Sequence, residues 1–75
     1  MISALQLRAA RALLEWNQKD LAGAAGLSLP TIQRMETIGL HRSSAGNVNK
    51  IQLALEAAGI EFLFGDAPGI RLRLS

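Results

Sequence analysis

Three punctuation marks within fourteen residues constrain this chain most: Asn17, Gly26 and the Ser28–Pro30 pair. Asn17 is a good N-cap for a short helix from Gln18 to about Ala25, with Asp20 in its first turn where the helix dipole favours an anion. Gly26 stops that helix as a left-handed cap, because only glycine takes positive φ without steric cost. Ser28 opens a further helix, and Pro30 fits its first turn, where an N–H would lack a partner anyway. The result is two short helices with one glycine-bearing turn between them. Their apolar positions are spaced to pack on each other: Leu21, Ala22 and Ala25 inward from the first, Leu27 in the turn, Ile32 and Met35 inward from the second.

The flanks read as follows. From Ser3 to Glu15, Leu5, Ala9, Ala12, Leu13 and Trp16 recur at spacings of three and four, which predicts an amphipathic first helix with Arg8, Arg11 and Glu15 on its wet side. Trp16, just before the Asn17 cap, is placed as a hydrophobic staple in the core. The helix opened by Ser28 runs to about Thr37, and Ile38 to Ser43 reads as a loop. Ser44 caps a fourth helix, Ala45 to Ala58, with Val48, Ile51, Leu55 and Ala58 buried and Gly59 as its stop. Then the period changes to two: Ile60, Phe62 and Phe64 alternate, Gly65 to Gly69 supplies turn residues, and Ile70, Leu72 and Leu74 alternate with Arg71 and Arg73. That is a hairpin signature, and an isolated hairpin needs a helical surface or a second chain to persist. The expected fold is mainly α, four helices with a C-terminal β-hairpin, in which residues 1–59 form the helical part and 60–75 the hairpin of one domain.

Composition narrows the function. Seventy-five residues bury a modest core, so a second copy would add stability. There is no cysteine, which removes disulfides and thiolate metal sites and fits a reducing, cytoplasmic setting. Met1 to Arg11 lacks a positive segment followed by an unbroken apolar run, and no stretch approaches the roughly 20 apolar residues of a membrane span. The net charge of +2 says little by itself, but Lys19, Arg34, Arg42 and Lys50 outnumber Asp20 and Glu36 in the middle, while Glu56, Glu61 and Asp66 follow later. His41 stands alone without cysteine or carboxylate company and reads as a water-facing loop residue. No nucleophile with a base, acid–base pair in an evident pocket, or metal cluster emerges, so neither an enzyme nor a cofactor is expected.

At Trp16-Asn17-Gln18-Lys19-Asp20-Leu21-Ala22, Ala25-Gly26-Leu27-Ser28 and Pro30-Thr31-Ile32-Gln33-Arg34-Met35-Glu36 the chain resembles the phage-repressor type of helix-turn-helix domain, the family of the lambda repressor and Cro. The likeness continues more loosely to Ala54-Leu55-Glu56-Ala57-Ala58-Gly59. It implies that the helix from Leu29 enters the major groove of double-stranded DNA, where each base pair presents its own donors, acceptors and methyl groups. On that register Leu29, Pro30, Thr31, Gln33 and Arg34 face the bases, with Gln33 suited to adenine and Arg34 to guanine or phosphate. Gln18 would bond a phosphate and set the docking angle, and Arg42, Ser43, Ser44, Asn47 and Lys50 would lie against the backbone.

The chain departs from the family pattern in the apolar Leu29, in the loop Thr37 to Ser43, and in ending on a hairpin where many members carry a fifth helix. The resemblance implies dimerisation through this end, by strand pairing between subunits. Ile60, Phe62, Phe64, Ile70, Leu72 and Leu74 are therefore read as core or dimer surface. The expected function is a dimeric transcriptional regulator on a roughly palindromic site. The alternatives are an antitoxin that also binds a toxin protein, and a protein-interaction module without DNA binding.

Overall fold

The computed structural model describes residues 2–73. Four helices, α1 (Ala4–Leu14), α2 (Gln18–Ala25), α3 (Leu29–Ile38) and α4 (Ala45–Ala57), precede a hairpin of β1 (Ile60–Leu63) and β2 (Gly69–Leu72). The punctuation acts as expected. Asn17 caps α2 in a reciprocal box, its side chain accepting from the Asp20 N–H at 2.7 Å while Asp20 accepts from the Asn17 N–H at 3.0 Å. Gly26 is left-handed at φ 69°, and Ser28 and Ser44 cap α3 and α4 by accepting from the N–H groups of Thr31 and Asn47. The expected loop after α3 contains a single 3-10 turn, Leu40–Arg42, because Leu40 is driven into the core.

One core serves the whole described chain. Ile2, Leu7, Ala10, Leu21, Ala22, Ile32, Met35, Leu40, Val48, Ile51, Leu55, Ile60 and Phe62 are buried together, with Trp16, Ala25, Leu27, Ile70 and Leu72 packed at its margin. Helix α2 packs on α3 and α4, α1 on α3 and β2, and β1 on α4. The hairpin is thus held by helices on its inner face, which supplies the support that two strands lack in water.

Helix α1 corrects the sequence reading. Its inward residues are Gln6, Leu7 and Ala10, whereas Leu5 is 70% and Leu13 45% exposed, and Ala9 and Ala12 face solvent too. The helix carries small or apolar residues almost all round, so its periodicity admits more than one face. Polar Gln6 and Arg11 mark the inner one. Both are held there by hydrogen bonds: the Gln6 amide donates to the carbonyls of Leu63 and Gly69 at 3.0 and 3.1 Å, pinning the hairpin to α1.

The strands pair antiparallel within the chain, Ile60 opposite Leu72, Glu61 opposite Arg71, Phe62 opposite Ile70 and Leu63 opposite Gly69. On the wet face Glu61 forms ion pairs with both Arg71 and Arg73, as alternating arginines on a strand suggest. Gly59 makes the entry to β1 possible. Its φ is 106°, and a Cβ there would lie 3.2 Å from the Arg73 carbonyl oxygen.

Candidate nucleic-acid interface

The two faces of α3 have opposite fates. Ile32, Met35 and Glu36 turn inward, while Leu29, Pro30, Gln33, Arg34 and Thr37 are exposed. Residues three and four apart share a helix face, so Pro30, Gln33, Arg34 and Thr37 form one continuous strip. Neither Gln33 nor Arg34 makes a side-chain hydrogen bond among the described residues. Thr31 differs: it is half-buried, and its hydroxyl lies 2.8 Å from that of Ser28, at the cap. Its role is first to hold the start of α3.

The inner face is locked by a polar network that sequence reasoning missed. Glu36, 5% exposed, accepts from Arg11 Nε at 2.6 Å and Arg11 Nη2 at 2.8 Å, a two-pronged pairing matched to the guanidinium fork. Arg11 also donates to the Trp16 carbonyl at 2.9 Å, and Arg8 to the Glu36 carbonyl at 2.7 Å. The hydrogen bond and charge of Glu36 hold the Arg11 guanidinium above its ordinary pKa against the opposing effect of burial. Gln18 completes the network by donating from Nε2 to Glu36 Oε1 at 3.1 Å.

This network ties α1, α2 and α3 through one carboxylate. It also changes the meaning of Gln18. An amide nitrogen carries two hydrogens, and here one is directed at Glu36 while the half-buried side chain keeps the other. Gln18 is thus a donor whose direction is fixed by Glu36 rather than a free surface side chain. The missed signal was positional: Glu36 falls four residues after Ile32, on the inward stripe, and an acid there needs a cation.

Past α3, Arg42 and Lys50 are exposed, and Ser43 and Asn47 are half-buried. The Ser44 hydroxyl is occupied in capping. With Asn47 N–H bonded to that hydroxyl and Val48 N–H to the Ser44 carbonyl, the backbone N–H groups of Ala45 and Gly46 remain the open donors at the α4 N-terminus. Gly46 leaves them uncovered: a Cβ there would meet only Ser44 Oγ, at 4.0 Å.

No known family model matches the chain, and no curated protein does. No helix among the described residues is long and apolar enough to cross a membrane.

The hairpin residues separate into two groups. Ile60 and Phe62, read from sequence as core or dimer surface, are 3% and 8% exposed in the chain's own core. The cause is the alternation of β1, whose inner side chains meet the helices first. Ile70 and Leu72 are half-buried against the same core. Phe64 remains 55% exposed, and Leu74 lies outside the described residues.

Proposed function

We propose that this chain is a sequence-specific double-stranded DNA-binding regulator that acts as a dimer on a roughly palindromic site. The observation that carries the reading is the exposed strip of α3, where Gln33 and Arg34 have no side-chain hydrogen-bond partners among the described residues and the opposite face is anchored by Ile32, Met35 and Glu36. A rigid helix with open amide and guanidinium groups is what reading base edges demands, since glutamine pairs with adenine and arginine with guanine. Gln18, aimed by Glu36, and the open N–H groups at the start of α4 supply donors for phosphate oxygens. Arg42 and Lys50 add charge nearby in the chain. Two copies would set their α3 helices in successive major grooves about 34 Å apart.

The test is selection of bound duplexes from a random pool, followed by titration of the winner against scrambled DNA at fixed physiological salt. A palindromic winner preferred by about 10³-fold or more is expected. In that assay Gln33→Ala should relax preference at one base position, costing about 1–3 kcal/mol, while Gln18→Ala should weaken all sequences alike. An affinity unmoved by both changes would overturn the docking, and a pool without enrichment would overturn DNA recognition itself.

A further inference from the structure

Resting on the DNA reading above, we infer that the first turn of α3, Leu29 with Pro30 beside it, takes the C5-methyl group of a major-groove pyrimidine, thymine or 5-methylcytosine, so that affinity follows that methyl. The chain departs from the family pattern at Leu29, so the contact is its own.

The outer strip of α3 changes character along its length. The second turn presents Gln33 and Arg34, an amide and a guanidinium without side-chain hydrogen bonds among the described residues. The first turn presents carbon: Leu29 is 36% exposed, and Pro30 is exposed beside it. The polar groups of that turn are engaged in the cap. Thr31 N–H donates to Ser28 Oγ at 3.3 Å, the two hydroxyls lie 2.8 Å apart, and Ile32 N–H donates to the Ser28 carbonyl at 3.2 Å. Proline has no N–H, so among the described residues Leu29 N–H is the single open backbone donor of the turn, against two at the start of α4. The cap and the proline ring also hold the turn rigid.

In the major groove such a surface has one good match. Base pairs display nitrogen and oxygen acceptors and amino donors there, and the thymine C5-methyl is the one apolar group among them. A cytosine methylated at C5 carries the same methyl on the same ring carbon, where unmethylated cytosine carries hydrogen. Leucine and proline pressed on a donor or acceptor would cut it off from water without replacing the bond. Pressed on a methyl, they remove apolar surface from water on both sides.

Position suits the contact. Leu29 stands four residues before Gln33, and Pro30 four before Arg34, so each pair shares a helix face. Four residues rise about 6 Å along the helix, close to two base steps of about 3.4 Å. The methyl is therefore read within about two base steps of the bases beneath Gln33 and Arg34.

The test uses the full chain and the duplex won by the selection above, at fixed salt. Each thymine is replaced in turn by deoxyuridine, which removes the methyl and keeps every hydrogen-bonding group. One or two positions in each half-site should lose about fourfold in affinity, the worth of one buried carbon group. In Leu29→Ala that loss should shrink below about twofold. Gln33→Ala and Leu29→Met should keep it, the latter because an apolar side chain of similar reach remains. Circular dichroism checks that the variants keep their helical content. In a second arm the same position carries a cytosine–guanine pair, and methylating that cytosine at C5 should strengthen binding about fourfold.

A gain on methylation shows that the methyl is read on either base, and a deoxyuridine loss without that gain assigns thymine as its source. A selected duplex that no deoxyuridine weakens, or a loss that Leu29→Ala leaves at full size, would overturn the methyl site and leave the DNA reading standing. So would a loss that disappears in Gln33→Ala. A pool without enrichment would overturn both.

Discussion

Arginine 11 is the residue whose loss should reveal how the reading helix is held. Replacing it with alanine removes both prongs on Glu36 and the bond to the Trp16 carbonyl, leaving a carboxylate whose side chain is 4% exposed with Gln18 as its one remaining side-chain donor among the described residues. Breaking a buried pair from one side costs about 3–5 kcal/mol, because the remaining charge keeps its desolvation penalty. A domain of this length has a total stability of roughly 4–11 kcal/mol at 0.05–0.15 kcal/mol per residue. Arg11→Ala should therefore consume about a quarter of the stability at least. With a urea slope of about 1 kcal/mol/M for so small a chain, the midpoint should fall by about 3–5 M, or the chain should be unfolded without urea.

Urea unfolding followed by far-ultraviolet circular dichroism, at one chain concentration because association shifts the midpoint, measures this directly. The double variant Arg11→Met, Glu36→Leu separates the cause. Removing both charges should restore stability to within about 1 kcal/mol of the parent, since apolar replacements of buried pairs are often neutral or better. A loss below about 1 kcal/mol for Arg11→Ala, typical of a surface pair, would refute the reasoning. So would a double variant less stable than the single one.

The corrected face of α1 predicts a contrast between neighbours. Leu7→Ala should cost about 2–5 kcal/mol as a core truncation, while Leu5→Gln should change stability by no more than about 0.5 kcal/mol; the same urea titration distinguishes them, and a reversed order would restore the other face. The glycines divide likewise. Gly23 sits inside α2 with nothing within 4 Å of an added Cβ, so Gly23→Ala should stabilise by about 0.5–1 kcal/mol. Gly59→Ala should destabilise, through positive φ and the crowding of the Arg73 carbonyl, and thermal melts of the pair check both signs.

Local chemistry was enough to read the helix boundaries. Asn17, Gly26, Ser28, Pro30, Ser44 and Gly59 act within a turn of their own position, through caps and φ preferences that need no distant partner, and the helices begin and end where those residues place them to within a residue. The period-two pattern of Ile60 to Leu72 likewise carried the hairpin, because alternation is a property of the strand itself. The exposed strip of α3 was legible for the same reason: Ile32 and Met35 fix the inward face, and Gln33 and Arg34 follow on the other.

Tertiary structure decided what local pattern left open. Leu5 and Leu13 make as good a stripe as Leu7 and Ala10, and the carbonyls of Leu63 and Gly69, fifty-seven and sixty-three residues from Gln6, together with the Glu36 carboxylate that Arg11 reaches, turn α1 to bury the second. Glu36 lies on the inward stripe of α3, but its cation, Arg11, stands twenty-five residues away and reaches it only inside the fold, where the pair gives Gln18 its direction. Ile60 and Phe62 went to the chain's own helices, leaving Phe64 outside. Caps and periodicities are short-range and therefore written in sequence, whereas the choice between two equally apolar faces is made by whichever one satisfies the polar groups that burial would otherwise strand.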